Sequence, residues 1–309
     1  MRALMAAERP RLSETAAFAM VTTAALCWAG NHIAGRWIAG ESPPVPPGGL
    51  SALRWMLAFL VILPWAWRPI KADWPSLRER SGTVLALGLV GGAMFSFIQY
   101  YALQYTTAVN VGVMNSAAPA FIVLAGTLIF RDAVALRQLG GITVSLIGVL
   151  VILTRGDPRM LAGLQFNLGD LLALINMAIF GVYSVCLRLT PKLHVLTFVA
   201  ALCLIASLGS VPVALIETLA GHPLRPTWPT LVAVLYTGLF TSLTAYFAWS
   251  EGVAVLGAQR AGVFLHMVPL FSALLSMLVL GEEPRPFHAI GLLLIIGGVT
   301  VAVRRVASR

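Results

Sequence analysis

SGTVLALGLVGGAMFSFIQYYALQYTTAVNVGVMNSAAPAFIVLAGTLIF, the stretch from Ser81 to Phe130, runs for fifty residues without one Lys, Arg, Asp, Glu or His. A helix that crosses the hydrocarbon of a bilayer needs about 20 apolar residues. The stretch therefore crosses more than once and turns back inside itself. The rest of the chain is no more polar: of 309 residues 59% are hydrophobic and 11% charged, with a mean hydropathy of +0.87. Such a composition cannot cover the surface of one or two soluble domains, and it places the chain in a lipid bilayer.

Outward from Ser81–Phe130, ionisable residues and Pro/Gly clusters serve as boundaries. They predict spans at 16–38, 49–67, 82–103, 107–130, 138–154, 168–188, 194–216, 230–251, 258–280 and 287–303. The fifth and tenth are short, so a nine-span chain is the alternative. Continuous apolar runs exclude a transmembrane β-barrel, whose strands alternate. Arg2, Arg9 and Arg11 ahead of Thr15–Asn31 imitate a secretory signal, but no small-residue cleavage pattern follows and the segment reads as the first span. Cys27, Cys186 and Cys203 all lie in apolar runs, which gives neither a disulfide framework nor a metal site. No metal or other cofactor is expected.

A net charge of +9 raises the question of a nucleic-acid partner, but too little solvated surface remains to carry one, and none is expected. The basic residues set topology instead. With the amino end inside, 15 Lys and Arg fall on that side against four opposite (Arg155, Arg159, Arg225 and Arg285). By the positive-inside rule both termini are cytoplasmic. Arg36 and Arg54 complete the set near the outer ends of the first two spans, where a long side chain snorkels to the interface. Glu251 and Arg260, at the end of the eighth span and the start of the ninth, read as an interfacial ion pair.

Shifted by 150 residues, Thr107–Leu153 falls on Gly257–Val303 without a gap, pairing Pro119 with Pro269, Phe121 with Phe271, Gly141 with Gly291 and Gly148 with Gly298. Leu and Val coincide by chance between apolar helices. Gly and Pro in common register, which fix backbone geometry, do not. Five helices per repeat is an odd number, so equivalent segments run in opposite directions through the bilayer. Inverted repeats are a design of secondary transporters, because equivalent halves can exchange inward and outward conformations about a midplane site. A duplicated bundle that anchors something or conducts passively is the bland alternative.

Cys27-Trp28-Ala29-Gly30-Asn31, Leu53-Arg54-Trp55, Asn115-Ser116-Ala117-Ala118-Pro119 and His266-Met267-Val268-Pro269 resemble helices one, two, four and nine of the drug/metabolite transporter superfamily with two EamA-type repeats. The likeness is closest to the YddG-type amino-acid exporters and covers nearly the whole chain after residue 15. It implies an all-α polytopic membrane protein of ten helices in two inverted five-helix repeats. Helices one to four and six to nine would surround a central cavity, with five and ten outside. The implied organisation is a cytoplasmic tail at 1–14, repeat one at 15–154, a periplasmic linker at 155–167, repeat two at 168–303 and a cytoplasmic tail at 304–309. The implied activity is export of small neutral, largely apolar or aromatic amino acids and related metabolites across the bacterial inner membrane, by alternating access and as a monomer.

Polar groups facing lipid are costly, so polar side chains at mid-span point into the bundle. Candidates to contact a substrate are Trp28, Asn31 and His32 in the first span, Ser96 and Gln99 in the third, Asn115 and Ser116 in the fourth, Asn176 and Tyr183 in the sixth, Tyr246 and Trp249 in the eighth, and His266 in the ninth. Tyr100, Asn110, Tyr236 and Thr241 belong to the same polar inner set. Each also admits the plainer role of an interhelical hydrogen bond. As a set, amides and aromatics suit a small zwitterion with an apolar side chain better than an anion, since the sequence places no Lys or Arg at mid-depth. His32 and His266 are the ionisable groups well inside spans, and neutral hydrogen-bonded histidine is preferred to a proton relay because no carboxylate accompanies them. Pro119 and Pro269 are gating candidates: each removes a backbone hydrogen bond from its helix and frees a carbonyl one turn earlier.

Two other classes compete. A membrane enzyme needs paired intramembrane carboxylates, a His-Glu metal motif or a serine with an adjacent base, and no HExxH or GxSxG occurs. The chain is read as not an enzyme. Within transport, a nucleotide sugar calls for mid-depth Lys or Arg, and a lipophilic cation for an aromatic cage with a carboxylate.

Overall fold

Hydrocarbon offers a backbone no hydrogen-bond partners, so apolar runs of this length must pair their own N–H and C=O groups as helices. The computed structural model describes residues 12–38, 45–102, 104–106, 111, 114–162, 167–280 and 285–303, the side chains at 32–38, 161–162, 276, 279 and 280 excepted. Among these residues there is no strand. The main helices are α1 (Glu14–Ile38), α2 (Pro47–Glu79), α3 (Ser81–Ala102), α4 (Ala118–Phe130), α5 (Leu136–Leu153), α6 (Leu168–Leu189), α7 (Val195–Leu219) and α8 (Trp228–Leu256). α9 opens as Ala258–Gly262, tightens through a 3-10 turn at Val263–His266 and continues as Met267–Leu280, and α10 is Pro286–Val303. Among the described residues, eight of them (α2, α3 and α5–α10) are long and apolar enough to cross a membrane, and α4 is a shorter apolar helix of 13 residues.

Local chemistry sets the helix ends. Pro47 opens α2, where its missing N–H costs nothing. α6 begins with a capping box: Asn167 Oδ1 accepts from Asp170 N, and Asp170 Oδ2 accepts from Asn167 N. α8 and α9 meet at Gly257 alone, whose φ of 79° strains any residue with a Cβ. α2 differs most from its expected span, continuing through Arg68, Lys71, Asp73 and Arg78 to Glu79. At about 1.5 Å per residue it is roughly 50 Å long, well over the ~30 Å of a hydrocarbon core. Its charged end therefore stands clear of lipid, behind the exposed Trp65, Trp67 and Trp74 that suit an aromatic belt.

Inverted repetition is visible in the contacts. α5 and α10 are equivalent under the 150-residue shift and pack antiparallel: a Cβ on Gly141 would stand 2.6 Å from the Gly298 carbonyl oxygen, and one on Gly148 2.8 Å from that of Gly291. α2 and α7 also pack head to tail, and each caps the other. Glu217, near the end of α7, accepts hydrogen bonds from Gly48 N (2.9 Å) and Gly49 N (3.1 Å) in the first turn of α2. Asp73, toward the end of α2, accepts one from His194 N (2.6 Å) at the start of α7. Each carboxylate thus meets the unpaired N–H groups at the positive end of a helix dipole. α3 and α8 share a π-helical segment, at Leu89–Met94 in one and Thr237–Thr244 in the other.

Large apolar side chains form the perimeter, among them Leu128, Leu215, Leu278 and Leu293. That is the surface a bilayer solvates and water does not. α5 and α10 pack chiefly on each other, and the interior lies among the remaining helices.

Candidate functional site

Aromatic residues from five helices converge on Trp28 of α1. Its indole meets Phe180 of α6 edge-on (5.7 Å between ring centroids), Tyr246 of α8 edge-on (5.9 Å) and Trp249 of α8 at 5.5 Å. Trp55 of α2 packs on Tyr246 at 4.9 Å, Tyr183 of α6 at 6.0 Å, and Phe95 of α3 lies 5.2 Å from Phe180. Trp55, Tyr183, Tyr246 and Trp249 are fully buried, whereas Trp28 keeps part of its surface open. The ring set therefore borders accessible space at Trp28.

The π-helical segments shape this region. A π turn widens the helix and leaves carbonyls without their regular partners. Within that segment of α3 the Gly91 carbonyl accepts a 2.6 Å hydrogen bond from the Tyr246 hydroxyl. Tyr183 lies against Gly91 with no room for a Cβ. Two rings are thereby fixed to the backbone of a third helix.

Next to the rings stands a polar group. Asn176, four residues before Phe180 and so on its face of α6, donates from Nδ2 to Gln99 Oε1 (2.9 Å), and the buried Asn176 Oδ1 has no partner among the described residues. Ser96 accepts from Trp55 Nε1 (3.1 Å) and from Arg54 Nη2 (2.5 Å). Arg54 is a correction to the sequence reading. Its side chain does not snorkel outward but lies inside, 3% exposed, bonded also to the Tyr100 hydroxyl (3.0 Å). The cause is helical phase, since Arg54 and Trp55 lie on the inner face of α2.

A second group lies where α4, α5 and α9 meet. His266, fully buried, has both ring nitrogens engaged: Nε2 with the Ser116 carbonyl (3.0 Å) and Nδ1 with the Ser145 hydroxyl. A carbonyl only accepts, so Nε2 carries the proton. Ser116 and His266 are 150 residues apart and hence equivalent, which puts this bond on the axis relating the halves. Both parent helices are broken just before their prolines, by a turn at 116–117 ahead of Pro119 and by the 3-10 turn ahead of Pro269. The carbonyl put to use is that of Ser116 and not the expected Asn115. Asn115 Oδ1 is buried without a partner among the described residues.

Charged ties sit at helix ends. Arg188 donates two hydrogen bonds to Asp132 (2.9 and 2.6 Å), holding that carboxyl below the ordinary carboxylate range. Because the folded pKa is lowered, the tie persists at neutral pH and is lost only on acidification through it. Arg260 pairs with Glu14 and donates to the Val303 carbonyl (2.8 and 3.0 Å), joining the start of α1, the start of α9 and the end of α10.

Of the sequence candidates, Trp28, Ser96, Tyr183, Tyr246 and Trp249 form one connected set with Trp55, Arg54 and Phe180, and Gln99 and Asn176 pair with each other on the same helices, α3 and α6. Asn31 is half-buried three residues beyond Trp28. Ser116 and His266 form the separate axial pair. The side chain of His32, and Asn110 entirely, lie outside the described residues.

A family model described as the EamA-like transporter family matches residues 15–154 and 167–304. The chain belongs to that family. An "Uncharacterized transporter" of Archaeoglobus fulgidus is 27% identical over 281 residues, covering 89% of this chain and 92% of its own. "Uncharacterized transporter YetK" of Bacillus subtilis is 29% identical, covering 82% of this chain and 77% of its own. A crystal structure with a TM-score of 0.76 covers 96% of this chain and all of its own at 24% identity, a likeness of fold alone. This EamA-like protein is thus a multi-pass membrane transporter of the drug/metabolite transporter superfamily and not an enzyme.

Sequence reasoning missed Arg54, Ser145, Asp73 and Glu217 in this transporter. For Arg54 the signal was present, since a cation beside a tryptophan on an apolar helix has an inner face available. For the two carboxylates there was none, because their partners are backbone N–H groups far away in sequence. Replacing His266 by Leu in this EamA-like transporter removes two buried hydrogen bonds at once, those to the Ser116 carbonyl and to the Ser145 hydroxyl, which keeps only the Ile142 carbonyl (3.0 Å). The expected cost is about 2–4 kcal/mol, against about 1 kcal/mol for Ser145→Ala. Melting temperatures of the purified variants in detergent measure both, and equal values for His266→Leu and wild type would remove the clamp.

Proposed function

We propose that this EamA-like protein is a secondary transporter that exports small neutral, apolar or aromatic amino acids and related metabolites across the bacterial inner membrane by alternating access. The supporting observation is the ring set around Trp28, built from α1, α2, α3, α6 and α8 and flanked by the Gln99–Asn176 pair. Rings offer an apolar side chain stacking and edge-on contacts. The amide oxygens of Asn115 and Asn176, without a partner among the described residues, offer acceptors for an ammonium group. In this reading the chain makes ten spans in repeats at 15–154 and 168–303, works as a monomer and keeps both termini in the cytoplasm, as the 15-to-4 distribution of Lys and Arg favours. Trp28, Asn31, Gln99, Asn115, Asn176 and Tyr246 contact the solute. Ser116 and His266 hold the axis, and Pro119 and Pro269 mark the moving segments.

Counterflow into proteoliposomes loaded with unlabelled amino acid tests this directly. Labelled tryptophan, phenylalanine, leucine and methionine should enter faster than aspartate, lysine or a nucleotide sugar. Accumulation of the nucleotide sugar with none of the neutral amino acids would overturn the reading.

A further inference from the structure

Arg54 is a full positive charge at the eighth position of α2, 3% exposed, and no carboxylate pairs with it among the described residues. Its acceptors among the described residues are neutral hydroxyls, Tyr100 Oη at 3.0 Å and Ser96 Oγ at 2.5 Å, and its buried Nε has no partner among them. The guanidinium carbon lies 5.1 Å from the Trp55 ring centroid and 5.3 Å from that of Tyr100. Two such cation–π contacts return part of the lost hydration. Removing an unpaired cation from water costs more than the rings restore. The site is therefore short of one anion.

Its position says which anion. The cation stands at one end of the ring chain that runs from Trp55 through Tyr246 to Trp28 and Trp249. A planar fork with free N–H groups matches a carboxylate. Tyr100, half-buried and accepting from Arg54, retains its own hydroxyl proton to donate to the same anion. A solute with a carboxylate at one end and an apolar body at the other fits cation and rings together.

We infer that Arg54 binds the carboxylate of the transported solute, so that a carboxylate is required for recognition whatever the apolar part. This rests on the ring set being the substrate site. Full-length protein in detergent is to be titrated with 3-phenylpropionate and with phenethylamine while its thermal stability is followed. In proteoliposomes, transport of labelled phenylalanine is to be competed with phenylalanine, phenylalaninamide and 3-phenylpropionate. The acids should stabilise and compete, and the amide and the amine should not. Arg54→Gln should weaken 3-phenylpropionate binding and phenylalanine transport roughly 10- to 100-fold, the loss expected for a charge-assisted hydrogen bond. Acid and amide should then compete alike. Arg54→Lys, which keeps the charge without the fork, should retain part of the preference for the acid and guards against misfolding of the glutamine variant. If phenylalanine moves but the amide competes as well as the acid, Arg54 is structural and the amino-acid reading survives. If no amino acid moves yet 3-phenylpropionate stabilises wild type and not Arg54→Gln, the carboxylate site stands and the amino-acid reading falls. Equal stabilisation of wild type and Arg54→Gln overturns the inference.

Discussion

Gly298→Leu is expected to destabilise the folded transporter strongly, whereas Gly297→Leu, one residue earlier on the same helix, is expected to leave its stability unchanged. A Cβ at position 298 would meet the Gly141 carbonyl oxygen at 2.5 Å and the Ser145 Cβ at 2.8 Å, while one at 297 meets nothing within 4 Å. Backbone cannot give way as a flexible side chain can, so α10 would have to retreat from α5. In lipid no hydrophobic gain compensates, because helix association there rests on van der Waals packing that needs close approach. The cost is put at about 3 kcal/mol or more, a fall in Tm of roughly 6–12 °C. The inverted copy repeats the contrast: Gly148 faces the Gly291 carbonyl oxygen at 2.8 Å, and Gly140 faces open space. Size-exclusion profiles and melting curves of the four leucine variants should therefore sort by face and not by helix. Equal melting of Gly297→Leu and Gly298→Leu would show the close approach to be immaterial.

Pro119→Ala and Pro269→Ala are expected to push the transporter in opposite directions. Pro119 is the second residue of α4 and Pro269 the third residue of the Met267–Leu280 segment, each just after a break in its helix. A helix-interior proline costs about 3 kcal/mol relative to alanine, so restoring the N–H favours running the helix through the break. In α4 that would draw the Ser116 carbonyl away from His266 and into the helix, and in α9 it would turn His266 itself. Because α4 and α9 are equivalents in inverted repeats, one change should favour openings toward one side of the membrane and its counterpart toward the other. A cysteine at position 115, in a chain freed of Cys27, Cys186 and Cys203, reports this through impermeant thiol reagents applied from each side. Transport should slow severalfold in both variants at unchanged yield. Labelling that moves the same way in both, or not at all, would leave the prolines as static features of packing.

Much of the architecture was legible because lipid enforces it. An apolar run must become a helix, so the apolar runs show where helices lie, though not where α2 ends, and Gly and Pro betray the repeat because they act on backbone. Gly141 and Gly148 meet Gly298 and Gly291 across α5 and α10, crossed relative to the 150-residue register as an antiparallel pair of equivalent helices requires, and Pro119 and Pro269 each follow a break in their helix. The direction each polar residue faces was less legible. The π-helical segments of α3 and α8 shift the helical phase midway, so a periodicity counted from one end misplaces residues at the other. Arg54 was placed by its distance from the span end, whereas the face it shares with Trp55 governs it. Ser145 lies on a helix with few polar residues, and its role appears only where that helix touches His266.

The reciprocal caps of α2 and α7 limit how the two halves can move. Glu217 grips the first turn of α2, Asp73 grips the first turn of α7, and the grips lie at opposite ends of the antiparallel pair. Sliding one helix along the other by a single turn, about 5.4 Å, would pull both carboxylates off their N–H groups at once. Rotation about the line of contact disturbs neither. The pair therefore behaves as an axle with a stop at each end: it permits rocking of one repeat against the other and resists a piston stroke.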